Sequence, residues 1–521
     1  MKRKLLLFSI SLGILSDHLF WDKPQGISFA VYILSLLILT SVVLHEKKIP
    51  ANRIGLYFLL PISFFMLMSF MRVEPLTSFL NRAVTLMLIG IWAAGYESAN
   101  WKNYGLVDYL HSAIHLVFHM VSFPLLRKRM FADSSKNKDE KGLGAKSILR
   151  GLALAIPPVI LFSLLFASAD MVFAESLEKL LSVFDLNNIG EYFTRFILIF
   201  LIANALIGLV IFTSTNKKRE KLFGKEKPFL NPFLGKIESG IVLSSILLLY
   251  ITFIVFQFNY FFFNQNTISE FGFTYSEYAR RGFGELIAAS ISSLVIILTL
   301  NTVTVASKKK AKLIPWLHIG LVLGNLVILL SAFMRLNLYE SAFGFTRLRI
   351  YSHVFIFWLG ILLIATGVLA WKKNVRQFTN FFLLFAVGFS VSLNLVNVDN
   401  LIVRRNIQRT KNGDPLDASY LSSLSSDAIP PLINAIQDNK LPDSVNRDAG
   451  AAALCFEMTN QDLIDQNSWQ SFTLADDKAK TLLDEIDYIK TDYTIVEDDW
   501  SVAIVDTFGK ETFCSYGVFF D

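Results

Sequence analysis

Long uncharged apolar runs separated by short basic loops recur from the first residues to about position 398, and their length sets the elements. A helix needs about 20 residues to cross the ~30 Å hydrocarbon core of a bilayer. The clearest runs cover residues 27–44, 56–71, 151–169, 196–216, 239–269, 286–307, 313–334, 350–371 and 377–398. Two weaker runs cover 5–20, which contains Asp17 and His18, and 79–96. The pattern predicts about 11 spans in an all-α polytopic transmembrane helical bundle. Lys2, Arg3 and Lys4 precede a short apolar stretch, but no small-residue cleavage site follows, so the first helix is read as retained.

Lysine and arginine orient the spans, because cytoplasmic loops are enriched in them. With the N-terminus inside, the inner loops hold about 29 of these residues and the outer loops about 10. Residues 104–126 are apolar enough to be a span, but crossing there would carry Arg127, Lys128 and Arg129 outside and invert every later loop. That segment is therefore read as an amphipathic helix at the cytoplasmic interface. The organisation expected is N-terminal spans over 1–100, an interfacial helix and basic loop over 101–150, a membrane core with polar outer loops over 151–396, and a soluble extracytoplasmic domain over 397–521.

After residue 397 the pattern changes. Helical periodicity appears over 401–410, 416–424 and 473–489, and residues 501–520 alternate as one or two strands do, giving a small, acidic, α-rich domain. Its two cysteines, Cys455 and Cys514, are the only ones in the chain. They are compatible with a disulfide in an oxidising compartment or with two buried thiols, and burial is the favoured reading.

Composition agrees with a bilayer as the main solvent: 53% of the 521 residues are hydrophobic, 18% charged, and the mean hydropathy is +0.48. A cytosolic enzyme, a disordered chain and a disulfide scaffold are excluded. The net charge of +6 divides into about −12 after residue 397 and about +18 before it, so nucleic acid is not an implied partner. Membrane lipids are, together with a protein partner at the outer face.

Candidate chemistry gathers at the outer ends of the spans. It comprises Asp170; Tyr275, Glu277, Tyr278, Arg280, Arg281 and Glu285; Arg335, Tyr339, Glu340, Arg347 and Arg349; and Asp399 with Arg404. Any one of these reads as an interfacial anchor that snorkels to water. Five arginines on the side that topology depletes of positive charge ask for more. They either staple loops through ion pairs with the nearby carboxylates, which is favoured, or line a pocket for an anion such as a lipid phosphate. His111, His115 and His119 share one face of the interfacial helix, one turn beyond Asp108, and are weak metal candidates. Nucleotide-loop, nucleophile-elbow, CxxC and kinase motifs are absent, and no cofactor is expected.

Several strings at these outer ends resemble a known family. They are Gly151-Leu-Ala-Leu-Ala-Ile-Pro157 with Ala167-Ser-Ala-Asp170, Thr274-Tyr-Ser-Glu-Tyr278 with Ala-Arg-Arg-Gly-Phe283, and Leu338-Tyr-Glu-Ser-Ala-Phe-Gly-Phe-Thr346 with Arg-Leu-Arg349. Asn397-Val-Asp-Asn-Leu-Ile402, Leu416-Asp-Ala-Ser-Tyr-Leu421 and Asp427-Ala-Ile-Pro430 continue the series. The chain resembles the bacterial polytopic membrane proteins grouped as the domain-of-unknown-function 4173 family, or its sibling 4153. The resemblance implies a bacterial inner-membrane protein and carries over no catalytic residue. The function expected is non-enzymatic binding or sensing at the outer face. The alternative is a transporter or lipid-handling protein that uses the arginines on an anionic headgroup.

Overall fold

The computed structural model describes residues 2–46, 48–49, 53–96, 104–122, 189–215, 232–262, 283–305, 313–372, 374–438, 441–460, 468–498 and 501–514. Its helices are α1 (Lys2–Phe20), α2 (Ile27–Glu46), α3 (Leu59–Met71), α4 (Pro75–Gly95), α5 (Leu106–Val121), α6 (Ile189–Thr215), α7 (Lys236–Phe262), α8 (Phe283–Val303), α9 (Leu313–Phe343), α10 (Arg347–Trp371) and α11 (Phe378–Val396). Eight of them, α2, α4 and α6 to α11, are long and apolar enough to cross a membrane. The expected span at 56–71 is α3, whose 13 residues rise only about 20 Å. The expected span at 5–20 is α1, a helix outside those eight, and the one at 151–169 lies outside the described residues.

The chain forms two compact units. The first comprises residues 1–22 and 117–211. In it Asp17 of α1 receives Arg195 of α6 through Nε at 3.0 Å and Nη2 at 2.7 Å, and Trp21 Nε1 donates to Glu191 at 2.9 Å. Two charges in apolar helices are thereby matched to each other. Asn204 Nδ2 donates to the Met120 carbonyl at 2.7 Å, tying α6 to the end of α5.

The second unit comprises residues 23–116 and 212–521. Helices α7 to α10 bury Leu243, Ile297, Leu321, Ile328, Leu336 and Leu363 against one another. Where lipid is as apolar as leucine, buried polar contacts and small residues add specificity. Asn81 of α4 and Asn394 of α11 exchange side-chain amide hydrogen bonds at 3.0 and 2.7 Å, both fully buried. A Cβ on Gly388 would overlap the Trp358 ring, so that glycine lets α11 lie against α10. Trp316 at the start of α9 and Trp371 at the end of α10 meet edge to face at 5.2 Å, both exposed.

At Asn397 the backbone turns left-handed, φ 51°, a conformation asparagine tolerates, and α12 (Val398–Thr410) departs directly from α11. After it come α13 (Ala418–Ser422), α14 (Ile429–Ile436), α15 (Asp443–Thr459), α16 (Leu474–Glu485) and an antiparallel sheet of β1 (Tyr493–Asp498), β2 (Ser501–Asp506) and β3 (Glu511–Cys514). Ile495 pairs with Ile504, and Val502 with Cys514. Among the described residues, the stretch expected to hold one or two strands holds two, β2 and β3, and β1 lies before it. Residues 515–521 are not described.

Helix α15 runs through the middle of this tail with every residue from Asp448 to Phe456 buried. Its glycine and alanines permit close approach from several sides: the Tyr493 side chain occupies the space a Cβ on Gly450 would need. The favoured reading of two buried thiols is corrected: both cysteines are buried, and they form a disulfide that joins α15 to β3, with Cα atoms 5.0 Å apart. The core that contains Cys455, Ile429 and Ile504 also takes in Ile350 of α10 and Leu393 of α11, so it is continuous with the end of the bundle.

Candidate functional site

The helix ends facing the tail carry buried charge, and the tail supplies its partners. Arg347, the first residue of α10, makes a two-point contact with Asp399 on the first turn of α12: Nε to Oδ1 at 2.9 Å and Nη2 to Oδ2 at 2.7 Å. Asp399 is fully buried and also accepts the Ser425 N–H at 2.8 Å. The Arg347 N–H donates to the Tyr420 hydroxyl at 3.0 Å; burial pushes that phenol up to about 12, against the lowering effect of this bond.

A second pair lies alongside. Arg72, just past α3, donates to Asp427 at 2.9 Å, and Asp427 also accepts from Val73 N–H at 3.3 Å and Asn397 Nδ2 at 3.1 Å. Burial raises the Asp427 carboxyl above its ordinary value despite the opposing pull of Arg72 and the Val73 N–H. Glu74 caps α4 ahead of Pro75, accepting Leu76 N–H at 2.9 Å and Thr77 N–H at 2.8 Å, and the hydroxyls of Thr77 and Tyr351 donate to it as well. Here a carboxylate satisfies orphan N–H groups at the positive end of a helix.

The turn between α9 and α10 is fastened to α12. Gly344 adopts φ 82°, and Asn406 clamps the next residue by accepting Phe345 N–H and donating to the Phe345 carbonyl, each at 2.9 Å. Arg349 donates to the Gly344 carbonyl and lies over the Tyr339 ring at 4.0 Å. His353 Nε2 and Glu340 Oε2 are 2.9 Å apart, while Glu340 Oε1 and His353 Nδ1 are buried without a partner among the described residues.

Between these pairs lies a cavity of about 340 Å³. Its wall includes Ser78 and Arg82 of α4, Arg347 of α10, Ser425 and Ser426 of the loop after α13, and Asp476 of α16. Arg82 Nη2 donates to the Gln25 carbonyl at 3.0 Å, but its Nε is buried with no partner among the described residues, as is the Ser425 hydroxyl. The Asp476 carboxylate is occupied by the Thr473 hydroxyl at 2.6 Å and by that of Ser426.

Of the candidates named from sequence, Arg347 lines this cavity and Asp399 braces it. Tyr339, Glu340 and Arg349 pack at the adjoining turn, Arg335 lies on α9 one to two turns before them, and Glu285 and Arg404 are exposed on α8 and α12. Asp170, Tyr275, Glu277, Tyr278, Arg280 and Arg281 lie outside the described residues. The His111 and His115 rings are 5.1 Å apart on α5, and among the described residues no three potential ligands come together for a metal. Asp108 is bound instead to Arg376 Nη2 at 2.7 Å and to Gly105 N–H at 2.8 Å. Arg72, Glu74, Arg82 and Asp427 were missed as site residues. Arg82 had a signal, as a lone charge inside an apolar run.

A bundle of apolar spans bearing inward-facing ion pairs at one end, capped by a folded tail, defines a multi-pass integral membrane protein. The chain belongs to the family described as "Domain of unknown function (DUF4153)", whose model matches residues 56–435. The resemblance to the paired families 4173 and 4153 thus resolves to the second. No curated protein and no solved structure matches the chain.

Proposed function

We propose that this protein is a non-enzymatic ligand-binding or sensing protein of the bacterial cytoplasmic membrane. In this reading its N-terminus is cytoplasmic, its tail extracytoplasmic, and its ligand sits in the cavity between helix ends and tail. The observation that carries the reading is Arg82: a guanidinium on an apolar helix, facing a cavity, with a buried Nε that nothing in the described protein satisfies. Leaving such a donor unmatched costs roughly 1–3 kcal/mol, more for a charged group, and a bound acceptor removes that cost. The orientation draws support from the basic loops and from the Cys455–Cys514 disulfide, a bond that persists in oxidising compartments.

Purification in native lipids, followed by mass spectrometry of what accompanies the protein, tests the reading. A small molecule or lipid species retained by the parent chain and lost from both Arg82→Ala and Arg347→Ala is expected. Identical co-purifying species in all three would end it.

A further inference from the structure

We propose that the cavity takes a phosphate group, carried either by a lipid headgroup or by a soluble phosphate ester. This rests on the cavity being a ligand site, and deepens that reading by naming the chemistry it selects.

Arg347 spends Nε and Nη2 on Asp399, and among the described residues its Nη1 has no hydrogen-bond partner. Arg82 spends Nη2 on a carbonyl and keeps Nε unmatched. The Ser425 hydroxyl is buried and unpartnered, and the Ser78 hydroxyl, one turn before Arg82, makes no hydrogen bond among the described residues. The one carboxylate in the wall, Asp476, already accepts two hydroxyls. Arg82 Nε, Arg347 Nη1 and two hydroxyls are therefore free to donate, which suits an occupant that offers acceptors.

Charge points the same way. Asp399 neutralises Arg347, whereas Arg82 has no direct carboxylate partner among the described residues and faces a wall whose one carboxylate, Asp476, is held by hydroxyls. A guanidinium in a low-dielectric setting favours a counter-anion. The geometry then separates the anions. A carboxylate presents two coplanar oxygens, suited to a single arginine fork. The free donors here come from three elements, α4, α10 and the loop before α14, and surround the space from different directions. Four tetrahedrally placed oxygens meet such a distribution, as they do where phosphate is held by arginine with hydroxyls. A volume of about 340 Å³ also exceeds one phosphate, leaving room for the group that bears it.

The test uses the full-length chain in nanodiscs, with Ser425→Cys as an alkylation reporter at the wall; the native cysteines are held in their disulfide. The probes are inorganic phosphate, glycerol 3-phosphate, malonate, and nanodiscs of phosphatidylcholine with or without phosphatidate. Slower alkylation with phosphate or glycerol phosphate, with apparent affinity falling at least tenfold in Arg82→Gln and unchanged in the exposed Lys411→Gln, supports a soluble phosphate ester. Protection only in phosphatidate-containing nanodiscs, lost in Arg82→Gln, supports a headgroup. Protection by malonate alone overturns the phosphate assignment while leaving the ligand site intact. Protection by no probe overturns the assignment too, and the lipid-retention experiment above then decides whether the site reading survives. If Ser425→Cys does not fold, native mass spectrometry of the parent chain and Arg82→Gln with the same probes reads the same outcomes as adduct masses.

Discussion

Asp399 has no solvent exposure, and Arg347 and the Ser425 N–H meet its oxygens. Removing its charge while keeping its shape leaves a guanidinium that is only 21% exposed without a counter-ion. Asp399→Asn is therefore expected to destabilise the protein by about 3 kcal/mol, read as a lowered thermal midpoint in detergent, with Arg347→Met recovering part of the loss in the double variant. This pair was partly legible in the sequence, since an arginine on the side that topology depletes of positive charge needs a reason to be there. Arg82 carried only an ambiguous signal, because a lone charge in an apolar run reads equally as the mark of a weak span. Glu74 reads as an unremarkable loop acid until Pro75 is recognised as the first residue of a helix.

Among elements, the long apolar helices followed directly from run length, because the hydrocarbon thickness dictates them. The tail resisted, and α15 shows why. Its middle, Ala449 to Ala453, is alanine and glycine throughout, so that part carries no stripe of large apolar residues. Its burial comes from neighbours packing on several faces, which no local periodicity records. Strand β1 was hidden in the same way: Tyr493–Asp498 is largely exposed and acquires its identity from pairing with β2. The disulfide links α15 to β3 across 59 positions. Closing a loop of that length stabilises by about 4 kcal/mol in the chain-entropy treatment. Reduction, or Cys455→Ser, is expected to make the tail sensitive to limited proteolysis while the spans stay protected by the bilayer. Unchanged digestion after reduction would show that the bond contributes little.

Across the whole molecule, the division of charge is the property that composition concealed: a basic membrane part and an acidic tail average to a mild +6. Under the orientation proposed, the tail lies outside. A phosphatase fused after Asp521 is then expected to be active and a fluorescent protein that matures only in the cytoplasm to stay dark; the opposite pair of readouts would invert the topology. The tail's core runs without interruption into Ile350 and Leu393. The cavity wall is made jointly by the spans and by the domain that caps them.

The Trp316–Trp371 contact fixes more than a helix pair. Tryptophan favours the level of the headgroups, and if this exposed pair sits there it marks one face of the bilayer. Counting about 20 residues, or ~30 Å, from each brings α9 to Leu336 and α10 to Tyr351 at the opposite face. Glu340 and Arg347 then stand just beyond the acyl chains, close to the plane of the lipid phosphates. The depth of the cavity is accordingly measured from the far leaflet by a ruler of fixed length. A bilayer with longer acyl chains would bring its own phosphates up past the cavity mouth, and a thinner one would leave the mouth standing in water. Hydrophobic mismatch thereby becomes a variable that sets which molecules can reach Arg82.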